Sequence, residues 1–333
     1  MKETIVGLDI GGANLKAATS DGWATTHPFE LWKHPEKLGA ELRLLLEGKS
    51  VSRLAITMTG ELCDCFETKR EGVGTILEQV EAAFPGTAFA VWSTRGVFLA
   101  MAQARSRSRD VAAANWHALA TWIGKNRSRL SWTGDAIMLD IGSTTSDLIT
   151  IVDGLPATRG ITDVERLEQH ELVYTGVRRT PICAIIPRVM AEWFATTLDA
   201  YLLMGFIGEY ETDLNTADGR PATRRHAHAR LARMLGGDAE MIRLDEVEEL
   251  AREVFAGQHS KVASAFDWVR SRMSKPPETI FLSGSGEFLG RAVCATQVED
   301  TKIVSLNYAL GPAISSAACA YALAQLAETT WVK

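Results

Sequence analysis

The sequence has few cysteines, no long apolar run and little excess charge. Its 333 residues include five scattered cysteines, an odd number that is typical of reduced thiols rather than of a disulfide framework. No segment reaches the ~18 consecutive apolar residues that cross a bilayer, and an apolar segment begins so soon after Met1 that we expect no signal peptide. The net charge of −6 disfavours nucleic acid or an anionic membrane as the main partner. These absences predict a cytoplasmic protein and leave its oligomeric state open.

Glycine-rich phosphate loops of the Walker and Rossmann types are also missing, but an internal repeat is present. Residues 5–16 and 136–147 each contain an apolar segment that ends in Leu-Asp-Ile-Gly, a small polar turn and the start of a second apolar segment. This pattern is typical of a β-hairpin. The second copy begins 131 positions after the first (140 − 9), which indicates two similar domains rather than a solenoid. Chance similarity between two hairpins is the alternative.

The turns of the repeat suit a phosphate. Glycine lets the backbone approach an anion, and the N–H groups of successive turn residues form an anion-binding nest. Asp9 and Asp140 end the two first strands, where they are predicted to be catalytic and to hold magnesium directly or through its waters. The predicted phosphate-binding residues are Gly11, Gly12, Asn14 and Lys16 in the first turn and Gly142, Ser143, Thr144 and Thr145 in the second.

A third glycine turn and two segments rich in small residues complete the pattern. Gly284 and Gly286 follow an apolar strand and are predicted to contact substrate. Residues 110–123 and 306–327 are predicted helices whose small side chains allow close packing. Each follows the strands of one domain, where a hinge is expected. Plain core packing is the alternative.

The order of hairpin, helix, hairpin, glycine turn and helix resembles the superfamily of actin, heat-shock chaperone ATPases and sugar kinases. The resemblance implies an α/β fold of two ribonuclease-H-like domains around a central cleft. In that superfamily the hairpins bind phosphates, the glycine turn meets the nucleoside and the helices form the hinge. We therefore predict a first domain of residues 1–130 plus 306–333 and a second domain of residues 131–305.

A closer resemblance lies in residues 57–73, 171–181 and 220–235. These stretches are similar to a hydantoinase- and oxoprolinase-related family linked to tetrahydromethanopterin-dependent one-carbon transfer, which includes a synthase of methanofuran assembly. That synthase condenses an aminomethylfuran-methanol diphosphate with γ-glutamyltyramine and releases pyrophosphate. The resemblance implies a magnesium-dependent transferase that acts on small anionic substrates in methanofuran-type cofactor biosynthesis. ATP can be accommodated but is not expected as a cofactor.

The same stretches contain side chains suited to this chemistry. Glu61 and Asp64 follow an apolar strand, at the strand end where α/β sheets bind ligands, and their spacing places them together on a first helical turn. They are predicted catalytic carboxylates, with N-terminal helix capping as the alternative. Arginine forks suit a diphosphate or a carboxylate, with a solvated basic face as the alternative. The predicted substrate-binding side chains are Thr57, Thr59, Lys69, Arg178, Arg179, Arg220 and Arg224, of which Arg220 and Arg224 are predicted to share a helix face.

Three functions remain open from the sequence. The first is the transferase. The second is an ATP-dependent kinase or an ATP-coupled hydrolase, and the third is a nucleotide-binding protein without catalysis. The fold does not choose among them because function depends on the site. Residues 57–73 favour the transferase.

Overall fold

Two mixed sheets form the framework of the protein, and each contains one of the two predicted hairpins. The computed structural model describes residues 4–331, so the ends of the predicted first domain, 1–3 and 332–333, lie outside the described residues. The first sheet has the order β3-β2-β1-β4-β5-β6. Its strands are β1 (Ile5–Ile10), β2 (Asn14–Thr19), β3 (Ala24–Pro28), β4 (Arg53–Met58), β5 (Ala88–Trp92) and β6 (Phe98–Leu99).

The second sheet repeats this arrangement around the second hairpin. Its order is β10-β8-β7-β11-β12, and the short strand β9 also pairs with β8. Its strands are β7 (Ala136–Ile141), β8 (Ser146–Val152), β9 (Leu155–Pro156), β10 (Leu172–Val173), β11 (Thr279–Ser283) and β12 (Lys302–Ser305).

Fourteen α-helices and two short 3-10 helices, Pro35–Lys37 and Ile182–Ala184, surround the sheets within residues 4–331. None of these helices combines the length and apolarity that crossing a membrane requires. The helices are α1 (Leu38–Leu45), α2 (Lys69–Ala83), α3 (Met101–Ser106), α4 (Ser108–Val111), α5 (Asn115–Lys125), α6 (Arg127–Leu130), α7 (Asp163–Glu168), α8 (Thr197–Leu203), α9 (Arg224–Met234), α10 (Leu244–Ser271), α11 (Glu287–Gln297), α12 (Leu306–Leu310), α13 (Pro312–Ser316) and α14 (Ala318–Thr330).

The registers of the two hairpins are equivalent. In the antiparallel pair β1–β2, Asp9 lies opposite Lys16, and in the antiparallel pair β7–β8, Asp140 lies opposite Asp147. On its other side β1 runs parallel to β4, as β7 does to β11. All six residues of β1 are buried because both faces of the sheet are covered, which explains its continuous apolar sequence. The predicted repeat and the α/β fold of two ribonuclease-H-like halves are confirmed.

Two helices pack against each other between the sheets. Helix α14 packs on α5 and lies over β1 and β2, whereas α5 also packs against β8 and β9. The approach is close enough that a Cβ atom on Gly7 of β1 would collide with the carbonyl oxygen of Ala320. Small residues are therefore required where α14 crosses the first sheet. The proposed domain boundaries at 130/131 and 305/306 stay predictions.

The predicted limits of these helices were partly wrong. The helix predicted over residues 110–123 begins only at Asn115, because α4 ends at Val111 and the chain then turns through Ala113 with a φ of 48°. The helix predicted over residues 306–327 is divided into α12, α13 and α14. Gly311 breaks it with a φ of 85° directly before Pro312, since that backbone conformation is not helical.

Candidate functional site

A cavity of about 620 Å³ lies between the two sheets and is lined by both hairpin turns. It brings together most of the residues predicted from the sequence, although they come from distant parts of the chain. The predicted residues that line it are Asp9, Gly11, Gly12, Asn14, Lys16, Thr59, Glu61, Asp64, Asp140, Gly142, Ser143, Thr144, Thr145, Arg178, Arg179 and Gly284.

The hairpin turns have matching backbone geometry. The N–H of Gly11 donates to the carbonyl oxygen of Asn14 at 3.0 Å. Likewise, the N–H of Gly142 donates to the carbonyl oxygen of Thr145 at 2.8 Å. In the described part of the chain, the next N–H groups of the turns, those of Gly12 and Ser143, have no hydrogen-bond acceptor. Each turn therefore has unpaired donors beside the cavity, as an anion-binding nest requires.

The first hairpin contains an ion pair. The Nζ atom of Lys16 lies 3.8 Å from Oδ2 of Asp9, and the other carboxylate oxygen of Asp9 is buried without a partner among residues 4–331. Burial raises the pKa of Asp9, although Lys16 partly offsets this. Burial lowers the pKa of Lys16, but the attraction of Asp9 and other nearby acidic groups outweighs it and the pKa is raised. Lys16 is therefore charged at neutral pH.

The second hairpin has a carboxylate where the first has a lysine. Burial, reinforced by repulsion from Asp147, raises the pKa of Asp140 to about 6. Asp147 is paired with Arg166 of α7, whose guanidinium lies 4.3 Å from the ring centroid of Trp116. Sequence reasoning missed Asp147 and Arg166 as cavity residues. Asp147 is at the repeat position of Lys16, and that correspondence is the signal that identifies it.

The residues after β4 form a loop, so the predicted helical turn carrying Glu61 and Asp64 was wrong. Helix α2 begins at Lys69, and the hydroxyl of Thr68 accepts from the N–H of Glu71 at 3.1 Å. Thr-x-x-Glu is a capping signal that the sequence contains at this position. Glu61 is 1% exposed, whereas Asp64 is exposed at the cavity edge.

Glu61 is connected to the second half of the molecule through Lys69. The Lys69 ammonium lies 3.3 Å from Glu61 and 2.7 Å from Asp163 of α7. Burial raises the pKa of Glu61, and Lys69 opposes this shift. One oxygen of Glu61 has no hydrogen-bond partner within the described chain. Lys69 thus bridges the two halves and does not itself line the cavity.

The glycine turn after β11 supports Asp140. Gly284 has a φ of 84°, and a Cβ atom there would lie 2.6 Å from an oxygen of Asp140. Gly286 does not line the cavity, contrary to its predicted substrate role. A Cβ atom on Gly286 would lie 2.8 Å from Cβ of Ile141, the last residue of β7, so this glycine serves packing between the turn and the second hairpin.

Three further predicted substrate-binding residues do not reach the cavity. Thr57 is fully buried within β4. Arg224 begins α9 and pairs at 3.6 Å with Glu248, whereas Arg220 precedes the helix and is 58% exposed, so the two do not share a helix face. Arg220 and Arg224 lie on a solvated surface. The inward face of α9 is occupied by Arg230, which pairs with buried Asp199 at 2.7 Å.

Aromatic residues line another part of the cavity and were missed from the sequence. Trp32, Tyr174 and Trp193 all face it. The guanidinium of Arg179 lies 4.2 Å from the Trp32 ring centroid, and Arg178 pairs with Asp213 at 2.6 Å. Isolated aromatic residues in loops give no periodic signal, so only the fold brings them together.

Several known proteins are similar to this chain. A family model described as Hydantoinase/oxoprolinase matches residues 53–185. A protein from Methanocaldococcus jannaschii named (4-{4-[2-(gamma-L-glutamylamino)ethyl]phenoxymethyl}furan-2-yl)methanamine synthase is 31% identical over 340 aligned positions, covering 98% of each chain. A protein of the same name from Methanococcus vannielii is 30% identical over 208 positions, covering 58% of this chain and 90% of that protein.

The solved structures that match support the fold. Nucleotide-free acetone carboxylase aligns with a TM-score of 0.60 and 10% identity, covering 97% of this chain and 70% of that chain. At this identity the likeness concerns the fold alone. The resemblance to the hydantoinase- and oxoprolinase-related family identified in the sequence agrees with the family model and with the two relatives.

Proposed function

Because the chain belongs to the family of the (4-{4-[2-(gamma-L-glutamylamino)ethyl]phenoxymethyl}furan-2-yl)methanamine synthases, we propose that it is an enzyme that forms the aryl ether of this product. The substrates would be an aminomethylfuran-methanol diphosphate and γ-glutamyltyramine, and the second product pyrophosphate. One observation of the structure carries the proposal: a single cavity has unpaired turn N–H groups, a buried carboxylate and an aromatic wall. The turn N–H groups suit a diphosphate, the carboxylate suits a phenolic proton, and the aromatic wall suits the two aromatic rings of the substrates.

The hairpin end suits the diphosphate. The unpaired N–H groups of both turns and the Lys16 ammonium supply donors for its oxygens. Three carboxylates, Asp9, Asp140 and Asp147, also lie here, so a diphosphate needs a cation to offset their repulsion.

Magnesium fits this set of donors. Its preferred ligands are oxygens, and one buried oxygen of Asp9 has no partner in the described chain. Within residues 4–331 no three His, Cys, Asp or Glu side chains form a closed metal site. Asp9 and Asp140 would therefore hold magnesium together with water and diphosphate oxygens, which is its usual coordination in phosphate sites. When bound, it would neutralise charge on the leaving diphosphate.

Glu61 is the proposed acceptor of the phenolic proton. The phenol O–H bond breaks as the phenolic oxygen bonds to the furan methylene carbon, the bond from that carbon to the diphosphate oxygen breaks, and the diphosphate leaves with the electron pair. A base with a raised pKa takes the proton more effectively at neutral pH, and burial raises the pKa of Glu61. Its unpartnered oxygen provides the accepting atom.

An ATP-dependent reaction is the second candidate, and a side cavity favours it. A space of about 210 Å³ adjoins the main cavity at the glycine turn and is lined by Ser285, Phe288 and Asn307, among others. In the superfamily that the fold resembles, the glycine turn meets the nucleoside. The same space would also accept a furan ring, so ATP must be tested directly.

The test is a reaction without ATP. Purified protein, magnesium, the furan diphosphate and γ-glutamyltyramine are mixed, and pyrophosphate and the ether product are measured. We expect both products in equal amounts and their loss when a chelator removes magnesium. The absence of product, with ATP hydrolysis stimulated by a small acceptor, would replace the transferase by the ATP-dependent enzyme.

Matched variants test the role of Glu61 in the same assay. Glu61→Gln keeps the shape of the side chain and removes the proton acceptor, so kcat should fall by about 100-fold or more. Glu67→Gln alters an exposed carboxylate in the same loop and serves as the control. Equal kcat values for the two variants would remove Glu61 from the mechanism.

A further inference from the structure

One end of the cavity has aromatic side chains and a cation instead of the carboxylates of the hairpin end. Tyr174 and Trp193 line the cavity and are 63% and 52% exposed. Large aromatic side chains left this exposed inside a concave site indicate ligand contact, because they gain stability when a ring covers them. This end is therefore suited to an aromatic group.

Arg179 is the cation of this end. Arg178 next to it is paired with Asp213 at 2.6 Å, but within residues 4–331 no carboxylate lies within ion-pair distance of Arg179. Its guanidinium stacks on the Trp32 ring at 4.2 Å. A guanidinium held over a ring still has N–H groups with which a carboxylate can form a fork.

Backbone hydrogen bonds hold the two members of this stack beside the hairpin turns. The N–H of Leu31, next to Trp32, donates to the carbonyl oxygen of Gly12 at 3.0 Å. The N–H of Arg179 donates to the carbonyl oxygen of Ser143 at 3.0 Å. Trp32 belongs to the first half and Arg179 to the second, so their contact spans the cavity beside both turns.

This aromatic end lies near Glu61. Glu61, Cys63 and Asp163 line the same cavity as Tyr174 and Arg179. Partial burial raises the pKa of Tyr174, and the charges of Arg179, Asp163, Cys63 and Glu61 modify this shift. The proposed proton acceptor, the aromatic residues and both hairpin turns therefore line one cavity.

We propose that Trp32, Tyr174 and Arg179 form the acceptor subsite, in which Arg179 binds the α-carboxylate of the glutamyl group and the two aromatic rings contact the phenol. The inference rests on the proposed function. The product named for the relatives has a γ-L-glutamylamino group joined through an ethyl linker to the phenoxymethyl group. Its acceptor part therefore has a carboxylate beyond an aromatic ring, which matches a free arginine beyond an aromatic wall.

Binding of two acceptors tests the subsite without requiring turnover. The Kd values of γ-glutamyltyramine and of tyramine, which lacks the carboxylate, are measured calorimetrically for the wild-type protein, Arg179→Met and Trp32→Leu. Arg179→Met should raise the Kd of γ-glutamyltyramine by about tenfold or more and leave that of tyramine within about twofold. Trp32→Leu should weaken both ligands, because both contain the phenol ring.

Arg188→Met is the matched control, because Arg188 is a surface arginine that pairs with Glu253 at 2.6 Å. It should bind both ligands as the wild-type protein does. The subsite is overturned if Arg179→Met binds γ-glutamyltyramine normally, or if it raises only the KM of the furan diphosphate, which would make Arg179 a diphosphate ligand.

The assay without ATP separates failure of the subsite from failure of the reaction. If the wild-type protein makes no ether but binds γ-glutamyltyramine through Arg179, the subsite stands and the proposed reaction does not. If the ether forms and Arg179→Met retains the selectivity between the two acceptors, the reaction stands and the subsite does not. If the wild-type protein neither binds γ-glutamyltyramine nor forms the ether, both are wrong.

Discussion

The two hairpins share a backbone and a register but balance their charges differently. In the first hairpin, Asp9 lies opposite Lys16, and the countercharge belongs to the hairpin itself. In the second, Asp140 lies opposite Asp147, and the countercharge is Arg166 from α7. Arg166 is 1% exposed, whereas Lys16 is a third exposed. The first hairpin therefore contains the countercharge of its own aspartate, whereas the second receives its countercharge from a separate helix.

That dependence connects the second hairpin to the first half of the molecule. Asp163 of α7 lies 3.6 Å from Arg166 and 2.7 Å from Lys69, which also pairs with Glu61. A continuous series of charges therefore runs from the loop after β4 to Asp147. The repeat is therefore asymmetric in charge: one position has Lys16, which is proposed to bind the diphosphate, and the equivalent position has Asp147, which is paired with Arg166.

Removing Arg166 should have the largest effect on stability. Arg166→Met leaves Asp147 buried and unpaired, which typically costs about 3–5 kcal/mol. Lys16→Met is the matched change in the first hairpin and should cost less, because Lys16 is a third exposed and its ammonium lies 3.8 Å from Asp9, too far for a hydrogen bond. Chemical denaturation measures both free energies of unfolding. Equal losses would mean that the hairpins do not differ as described.

A double variant sharpens this prediction. Asp147→Asn combined with Arg166→Met removes both charges, so it should be more stable than Arg166→Met alone. The coupling between the two substitutions would then measure the cost of the unpaired carboxylate. Additive losses would show that Arg166 acts through its packing on Trp116 instead.

The two aspartates at the strand ends should affect turnover more than stability. Asp9→Asn and Asp140→Asn should each lower kcat by about 100-fold, because each carboxylate is proposed to hold the cation that stabilises leaving-group charge. Burial raises the pKa of both groups, so a neutral side chain should not lower the free energy of unfolding. Thermal melts and kinetics on the same preparations separate the two effects. Global unfolding of both variants would assign the aspartates a structural role.

Removing Lys69, which pairs with both Glu61 and Asp163, should shift the pH profile of kcat/KM. Lys69→Met removes a positive charge 3.3 Å from Glu61, so the pKa of Glu61 should rise further. The acid limb of kcat/KM should then move to higher pH, since Glu61 must be ionised to accept the proton. Lys33→Met, which alters an exposed pair with Glu30, is the control. An unshifted profile would mean that Glu61 is not the titrating base.

The smallest effect is expected at the arginines outside the cavity. Arg224→Ala should leave KM for the diphosphate unchanged and alter stability by less than about 0.5 kcal/mol, because its pair with Glu248 is solvated. Arg220→Ala should behave in the same way. A rise in KM for either variant would mean that α9 approaches the cavity when substrate is bound.

Sequence reasoning located the hairpin turns well because a repeat and its turn residues are local signals. It also located Glu61, but placed it on a helix although Thr68 and Glu71 form a capping signal seven residues later. Arg220 and Arg224 were assigned to substrate because arginines suit diphosphates. Residue type alone cannot distinguish them from Arg179, since all three are arginines in loops or at a helix start.

By itself the sequence determined the two hairpins, the positions of Asp9 and Asp140 and the family to which the chain belongs. These follow from patterns of adjacent residues, which local backbone preferences translate directly into structure. The tertiary structure alone decided that Arg166 pairs with Asp147, that Lys69 joins the two halves and that Trp32 stacks on Arg179. Each of these contacts joins residues separated by 19 to 147 positions (166 − 147 and 179 − 32). Such contacts form only when the packed cores bring the segments together, and no local pattern encodes them.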